Sequence, residues 1–382
     1  MTRSITALVV APLALVALAC TDNEASSEAG AVAVTSTNNE CNVDAAEAPS
    51  GNLVFDVKNE GDQVTEFYLL ADDGLRIVGE VENIGPGLTR QLVVTAGPGS
   101  YFTACKPGMV GDGIRAPFTV TDSGEPVGPT GEIAQLLATA TTQYASYVKD
   151  QAAQLIAKTE EFAALYVAGD DDAARTLYAD ARTHWERIEP VAESFGDLDP
   201  RLDLREADLV DGEAWTGWHR IEKDLWPPAE GYTALTDDER VAMADMLVAD
   251  TQELVDRVQD LSFTADQLGN GAKELLDEVA TGKVTGEEEI WSHTDLWDFQ
   301  ANVDGARIAF EVLEPALRTK DDALADLLTT RFAELQTLLD QYRDGDGFVL
   351  YTDLTADQVK ELSDAVNALS EPLSQLTAAV VL

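Results

Sequence analysis

Two regions with different hydrophobic periodicity follow one another along the chain. Between residues 31 and 121, apolar and polar residues alternate in short runs that are separated by turns containing glycine and proline. Alternation with a period of two predicts half-buried β-strands. The predicted strands are residues 31–35, 53–57, 66–70, 76–81, 89–94, 101–105 and 118–121. Short strands with turn signals about ten residues apart are typical of a β-sandwich, which we therefore expect over residues 31–121.

The periodicity changes after residues 122–131, a segment rich in glycine and proline that we interpret as a linker. Beyond it, apolar residues recur every three or four positions, as in residues 134–148 and 324–339. This spacing is typical of amphipathic helices. The sequence thus predicts a multidomain β + α protein, in which the β-sandwich is followed by an all-α helical bundle over residues 132–382.

An export signal precedes both regions. Residues 1–3 carry a positive charge, residues 5–19 are almost entirely apolar, and Cys20 follows directly. This pattern predicts a lipoprotein signal peptide at residues 1–20 with lipid attachment at Cys20, and the alternative is an ordinary cleaved signal followed by a fortuitous cysteine. Residues 21–30 are small and polar, as in a flexible tether. We expect an exported protein, lipid-anchored at the periplasmic or extracytoplasmic face of the cell membrane.

The charge of the chain excludes one large class of partners. The 382 residues include 70 Asp and Glu but only 25 Lys and Arg, which gives a formal net charge of −45. Such a field repels phosphate backbones, so we expect no binding to nucleic acid. The same field concentrates cations at the protein surface.

Histidine and cysteine are scarce, and their positions limit the possible chemistry. All three histidines lie in the predicted helical region, whereas Cys41 and Cys105 lie in the predicted sandwich. The sandwich therefore lacks the imidazoles that a blue-copper site needs. Two interpretations of the cysteines stay open, a disulfide, which is common in exported proteins, and a metal site that they form together with Glu66.

Acidic residues and histidines cluster in three segments of the helical region. His219 and Glu222 are spaced i and i+3, so both can reach one ion from the same helix face. Glu186 and Glu189 have the same spacing, and residues 286–298 combine three consecutive glutamates with His293, Asp295 and Asp298. A solvated acidic face is the simplest interpretation of such residues. However, every tryptophan lies within seven positions of a histidine, and aromatic surroundings favour a defined site.

Several familiar catalytic patterns are absent from the sequence. It contains no His-Glu-x-x-His run, no Gly-x-Ser-x-Gly elbow and no phosphate-binding loop. Carboxylate ligands with one or two imidazoles suit iron, manganese or zinc, and a helical bundle rich in carboxylates favours iron.

The residues around these clusters carry a specific resemblance. The segments concerned are residues 186–200, 205–209, 215–226, 292–306, 342–348 and 369–374. They closely resemble the EfeO family, the exported components of EfeUOB iron transporters. The helical part is similar to imelysin-like proteins with a Gly-x-His-x-x-Glu motif, here Gly217 to Glu222. The resemblance implies a cupredoxin-like sandwich, a helical metal-binding domain, and the permease EfeU and haem peroxidase EfeB as partners.

The resemblance also implies roles for individual residues. His219 and Glu222 match the metal ligands of the motif. The acidic residues of a neighbouring or shared metal site would be Glu186, Glu189 and Asp203, together with Glu287 or Glu288. In the sandwich, Cys41, Glu66 and Cys105 match proposed ligand positions. Ser100 stands where we would expect an acidic residue shortly before the second cysteine, which favours the disulfide.

Together these observations predict an iron-binding component of an uptake system. We expect it to capture Fe²⁺ or Fe³⁺, with copper or zinc as other candidate ions, and to deliver iron to a membrane permease. One alternative is a secreted zinc metallopeptidase, in which a glutamate such as Glu186 activates water. The other is an adaptor that binds the permease without metal.

Overall fold

The computed structural model describes residues 30–382 except residues 112, 196, 210, 211 and 213. The expected signal peptide, the expected lipid site at Cys20 and all but the last residue of the expected tether lie outside the described residues. Among the helices that are described, none is both long and apolar enough to cross a membrane.

The first part of the described chain is a sandwich of two β-sheets, as predicted. Its strands are β1 (Val32–Ser36), β2 (Cys41–Val43), β3 (Glu47–Pro49), β4 (Gly51–Asn59), β5 (Thr65–Leu70), β6 (Ile77–Ile84), β7 (Thr89–Ala96), β8 (Gly99–Cys105) and β9 (Ile114–Thr121). One sheet has the strand order β2-β1-β4-β7, and the other has the order β3-β9-β8-β5-β6. The prediction missed β2 and β3, because three residues are too few for alternation to be recognised.

Alternating side chains from the two sheets form the core of the sandwich. Leu53, Phe55 and Val57 of β4 point inward and are fully or almost fully buried. The ring of Phe55 lies 5.2 Å from that of Phe67 and 5.6 Å from that of Phe118, which belong to the opposite sheet. These aromatic contacts hold the sheets together across the core.

The rest of the described chain consists of helices joined by loops, together with one hairpin. The helices are α1 (Gly131–Ala168), α2 (Asp171–Glu186), α3 (Leu198–Asp203), α4 (Trp218–Leu225), α5 (Asp237–Val258), α6 (Ala265–Thr281), α7 (Asp295–Leu317), α8 (Asp322–Leu339), α9 (Ala356–Leu373) and α10 (Leu376–Val381). The helical part also contains a hairpin of β10 (Arg343–Asp344) and β11 (Gly347–Phe348), which the sequence did not predict. Its turn uses Gly345 at φ 60°, and its strands are too short to produce a pattern.

Local sequence signals fix where several of the helices begin. Thr236 precedes α5, and its hydroxyl accepts a hydrogen bond from the backbone N–H of Glu239, whose side chain in turn accepts one from the backbone of Thr236. The same reciprocal arrangement, formed by Thr264 with Gln267, begins α6. Each of these capping boxes satisfies backbone groups that a helix end leaves without partners.

Helix α6 joins the helical part to the sandwich along the edge strand β7. The carboxylate of Asp266 accepts a hydrogen bond from the backbone N–H of Thr95 at 2.9 Å, and the Asn270 amide donates one to the carbonyl of Val93 at 2.9 Å. An edge strand presents unpaired backbone groups, and α6 satisfies them with side chains one helical turn apart. The side chain of Val93 is buried in the core of the helical part, so the two parts share apolar contacts as well.

Candidate metal centre

The histidine of the Gly-x-His-x-x-Glu motif is placed by a close backbone contact. Gly217 precedes α4 with a φ of 83°, and a Cβ atom at this position would lie 2.1 Å from the carbonyl oxygen of Leu202. Only glycine accepts both the left-handed conformation and this close approach. Because Leu202 is adjacent to Asp203 in α3, the contact brings His219 on the first turn of α4 next to the Asp203 carboxylate.

His219 has carboxylates on both sides of its buried imidazole ring. On one side, its Nε2 atom lies 3.4 Å from Asp203 and 3.5 Å from Glu288. On the other side, its Nδ1 atom lies 3.5 Å from Glu222 Oε2 and 3.9 Å from Glu289 Oε1. Each side brings together one imidazole nitrogen and two carboxylates with ligand atoms within 4.8 Å of one another. Either group therefore has the donor types and the closeness that a bound iron ion requires.

The Nδ1 side contains polar atoms without hydrogen-bond partners. His219 Nδ1 and Glu222 Oε2 are both buried, and neither has a hydrogen-bond partner among the described residues. The other oxygen of Glu222 accepts hydrogen bonds from the backbone N–H groups of Trp291 and Ser292 at 2.9 and 2.7 Å, which fix the carboxylate in place. Glu289 is held by Tyr178 and by Ser292, whose hydroxyls donate to it at 3.1 and 2.8 Å. These hydrogen bonds hold the two carboxylates facing His219.

Arg182 of α2 lies in the middle of the acidic residues. Its side chain is fully buried, and its guanidinium forms short ion pairs with Glu186 and Asp203. It also lies 2.7 Å from Glu289 and 3.5 Å from Asp298, measured from Nε. A buried guanidinium needs such carboxylate partners, since the burial of an unpaired charge is strongly unfavourable.

A second buried cation, Lys283, holds the remaining acidic residues. Its Nζ atom lies 3.0 Å from Glu186, 2.9 Å from Glu189 and 3.8 Å from Glu288. Asn302 of α7 donates hydrogen bonds to the carboxylates of Glu186 and Glu189 at 2.9 and 2.6 Å. Glu186 and Glu189 are therefore fully occupied by protein donors.

The carboxylates outnumber these cations, and the pKa values reflect the imbalance. Burial and the neighbouring Glu222 raise the pKa of Glu289 well above its usual range. Burial likewise raises the pKa of Asp298 well above normal, although Arg182 opposes the shift, and it raises the pKa of Asp295 to about 6. Burial also acts to raise the pKa of Glu288, but Lys283 and His219 outweigh it and hold this pKa well below normal. Glu289 and Asp298 are thus less well compensated by neighbouring cations than Glu288 is.

Two cavities reach the cluster from different directions. One, of about 300 Å³, is lined by His219, Glu222 and Glu288 and opens past Trp291 and the half-exposed Ile290. The other has a volume of about 260 Å³ and lies between the sandwich and the helical part. Its acidic lining residues are Glu80, Glu82, Glu189, Asp199, Asp203, Asp208, Glu274, Glu278 and Glu288. The first cavity contacts His219 and Glu222 directly, whereas the second contacts the cluster through Glu189, Asp203 and Glu288.

Most residues that the sequence analysis singled out come together here. Glu186, Glu189, Asp203, His219, Glu222 and Glu288 lie in one cluster. Glu287 lies at its rim, with half of its side chain exposed and Arg205 3.5 Å away. Of the other histidines, the buried His184 is hydrogen-bonded to Gln151 at 2.9 Å, outside the cluster.

The two buried cations, Arg182 and Lys283, were not predicted from the sequence. The spacing of Arg182 and Glu186, four residues apart on α2, was an available signal for one helix face. No local pattern connects Lys283 to residues almost 100 positions earlier in the chain. Glu289 and Asp298 belong to an acidic segment of the sequence, but they were not predicted to be ligands.

The sandwich does not assemble the alternative site of Cys41, Glu66 and Cys105. Cys41 and Cys105 form a disulfide with a Cα–Cα distance of 5.4 Å. Cys105 pairs with Phe67 across the strands and belongs with it to the inner core, so the neighbouring Glu66 points to the opposite face of the sheet. There Glu66 accepts a hydrogen bond from Tyr68 at 2.5 Å and lies 3.5 Å from Lys106. Of the two interpretations that the sequence left open, the structure has the disulfide, and Glu66 is a separate buried carboxylate.

Comparison with known proteins agrees with this architecture. A family model described as imelysin matches residues 140–376, and one described as a cupredoxin-like domain matches residues 9–120. The iron uptake system component EfeO of Yersinia pestis is 36% identical over 348 residues, which cover 90% of each chain. The chain belongs to the EfeO family. The resemblance drawn from the sequence motifs and the predicted fold class are thereby confirmed.

Two further relatives and one solved structure are similar to this chain. The iron uptake system component EfeO of Escherichia coli O157:H7 is 35% identical over 350 residues, again 90% of each chain. An Efem/EfeO family lipoprotein of Staphylococcus haemolyticus is 43% identical over 249 residues, 64% of this chain and 85% of that protein. The crystal structure of an imelysin-like protein from Psychrobacter arcticum is 13% identical, covers 65% of this chain and 95% of its own, and has a TM-score of 0.46.

Proposed function

We propose that this EfeO-family protein is the exported iron-binding component of an iron uptake system, and that it captures iron beside His219. The observation that carries the proposal is that the buried atoms His219 Nδ1 and Glu222 Oε2 lie 3.5 Å apart and have no hydrogen-bond partner within the part of the chain that the structure describes. Together with Glu289 they offer one nitrogen and carboxylate oxygens, a donor set that suits iron. The family membership supports iron as the cargo.

The charge balance of the cluster supports cation binding. Burial raises the pKa values of Glu289 and Asp298 well above normal, although Arg182, which lies 2.7 Å from Glu289 and 3.5 Å from Asp298, opposes both shifts. A bound divalent or trivalent cation would supply positive charge that otherwise has to come from protons on these two carboxylates. The net charge of −45 and the acidic cavities would favour the approach of the ion, within a screening length of about 8 Å at physiological salt.

Delivery and localisation are further parts of the proposal. The relatives named as iron uptake system components support membership of a transporter, in which the permease EfeU would receive the iron and the haem peroxidase EfeB would be the third component. The lipoprotein among the relatives supports a lipid anchor at Cys20. An anchored protein would hold its cargo close to the membrane permease.

Equilibrium binding of iron tests the proposal. Fe(II), Fe(III), Zn(II) and Cu(II) would be titrated into the mature chain by calorimetry and metal analysis, for wild type and for His219→Ala combined with Glu222→Ala. His184→Ala is the matched control, because His184 is buried outside the cluster. We expect stoichiometric iron binding that the double variant loses and the control keeps. Weak, salt-sensitive binding in all three proteins would overturn the proposal.

The two alternatives raised by the sequence can be tested with the same proteins. A zinc peptidase needs a free general base, whereas the candidate Glu186 is occupied by Arg182, Lys283 and Asn302. Cleavage of peptides that depends on His219 would nevertheless support the peptidase. Binding to the permease with equal affinity in the presence and absence of iron would support the adaptor.

A further inference from the structure

One loop contributes to several parts of the candidate metal centre. It comprises residues 284–293, and we call it the acidic loop. It carries Glu288 and Glu289 of the cluster, and two of its backbone N–H groups donate hydrogen bonds to Glu222. Four of its residues also line the cavity of about 300 Å³ that reaches His219. The conformation of this loop therefore determines where these donors lie and how wide the cavity is.

The last residue of the acidic loop, His293, has a backbone conformation that is unusual for its type. Its φ is 63°, in the left-handed region that a residue with a Cβ atom adopts only at a cost in free energy. Its backbone N–H donates a hydrogen bond to the carbonyl of Glu289 at 2.7 Å. Neither of the two groups of potential metal ligands formed by the described residues includes His293. The structure therefore gives this histidine a role through its backbone and not through its imidazole.

A single buried residue, Tyr351, holds both ends of the acidic loop. Its backbone N–H donates to the carbonyl of His293 at 2.9 Å, and its hydroxyl donates to the carbonyl of Val284 at 2.5 Å. Between these ends its ring covers Gly286, where an added Cβ atom would lie 2.8 Å from Tyr351 Cδ1. Strained backbone persists only where the surrounding structure holds it, and Tyr351 supplies such contacts here.

We propose that Tyr351 is a positioning residue that keeps the acidic loop closed, and that opening of this loop limits the rate at which a bound metal ion is released. The strain at His293 favours opening, and the contacts of Tyr351 oppose it. In the open loop, Glu288 and Glu289 move away and the cavity widens. Loop opening limits release in many proteins with enclosed sites. The inference rests on the proposed function and adds a control over how long the ion is retained.

Hydrogen exchange of the metal-free protein tests whether Tyr351 holds the loop. Tyr351→Phe removes the hydroxyl but keeps the ring and the backbone N–H. Tyr101→Phe is the matched control, because Tyr101 also donates to a backbone carbonyl, that of Gly97 in the sandwich, at 3.0 Å. We expect amide exchange in the acidic loop, measured by mass spectrometry, to be about three- to tenfold faster in Tyr351→Phe and unchanged in the control. Equal exchange in all three proteins would overturn the inference.

The rate of metal release gives the second test. Each protein would be loaded with Fe(II) and mixed anaerobically, in a stopped-flow instrument, with an excess of the chromogenic chelator ferrozine. We expect Tyr351→Phe to release Fe(II) about tenfold faster than wild type, and Tyr101→Phe to release it at the wild-type rate. Equal rates in the three proteins would overturn the inference. Wild type without any stoichiometric Fe(II) site would instead overturn the proposed function, and the exchange measurement does not depend on that site.

Two substitutions of His293 separate the role of its backbone from that of its imidazole. Both His293→Gly and His293→Val remove the ring, but glycine adopts a positive φ freely, whereas a β-branched residue adopts it with difficulty. We expect His293→Gly to release Fe(II) within about threefold of the wild-type rate, and His293→Val to release it at least about tenfold faster. An equally large effect in both variants would show that the imidazole matters and would contradict the inference.

Discussion

His219 Nδ1 and Glu222 Oε2 face each other at 3.5 Å in the interior of the helical part, and neither atom has a hydrogen-bond partner among the described residues. A buried polar atom without a partner costs about 1–3 kcal/mol. The surrounding hydrogen bonds hold the carboxylates of Glu222 and Glu289 in place, but none of them ends on His219 Nδ1 or Glu222 Oε2. Such an unsatisfied pair is understandable where a bound cation completes the site.

A substitution of Glu289 tests the ligand set of the site. This residue lies outside the Gly-x-His-x-x-Glu motif, so the motif alone does not identify it as a ligand. Its Oε1 atom lies 3.9 Å from His219 Nδ1, so we expect Glu289→Gln to weaken Fe(II) binding by about 10–100-fold. Isothermal calorimetry on the two proteins measures this change. Glu311→Gln, on the exposed side of α7, is the control and should bind iron as wild type does. Unchanged affinity in Glu289→Gln would remove this residue from the site.

Gly217 is expected to be necessary for both stability and metal binding. An added methyl group would clash with the carbonyl of Leu202 and would impose a left-handed conformation on a non-glycine residue. We expect Gly217→Ala to lower the free energy of unfolding by about 2–4 kcal/mol and to weaken Fe(II) binding, because α4 must shift. Urea denaturation and calorimetry measure the two effects. Gly97→Ala, where a Cβ meets nothing within 4 Å, should change neither.

Asp266 should make the stability of the protein depend on pH. Burial raises its pKa above the usual value, although the hydrogen bond from Thr95 opposes the shift. The folded state therefore holds a proton that the unfolded state has already released, and the stabilisation associated with this proton is lost as the pH rises through the folded pKa. An asparagine side chain at this position cannot ionise, but it keeps an oxygen that accepts the hydrogen bond from Thr95.

We therefore expect the stability of Asp266→Asn relative to wild type to increase as the pH is raised from about 4 to 7. Urea denaturation of both proteins across this range measures the difference, in which the contributions of all other groups cancel to first order. A difference that stays constant with pH would show that Asp266 does not titrate in this window.

The disulfide should stabilise the sandwich without affecting the metal centre. Cys41 and Cys105 close a loop with a sequence separation of 64 residues, so the bond restricts the unfolded chain considerably. We expect Cys41→Ser combined with Cys105→Ser to lower the free energy of unfolding by about 2–4 kcal/mol. The stoichiometry of Fe(II) binding should not change, since His219 lies in the helical part. A loss of iron in the double variant would connect the sandwich to the site.

Much of the architecture was accessible from the sequence because it depends on local pattern. Alternation over strands of five residues or more predicted the sandwich, and the helical period predicted the helical part. The missed elements are short, as in β2 and in the hairpin of β10 and β11, where too few residues carry a signal. The spacing of His219 and Glu222 on one helix turn was also readable, since three residues separate neighbours on a helix face.

The tertiary structure decided which of these residues form the site and how they are charged. Arg182, Lys283 and Glu289 come from α2, a short turn and the segment before α7, and no local periodicity relates these positions. Whether a carboxylate is free or paired depends on the atoms within a few ångströms of it, which only packing determines. For the same reason, the sequence left Cys41 and Cys105 with two possible roles. In the structure, Glu66 lies on the outer face of the β5–β8 sheet, whereas Cys105 lies on its inner face.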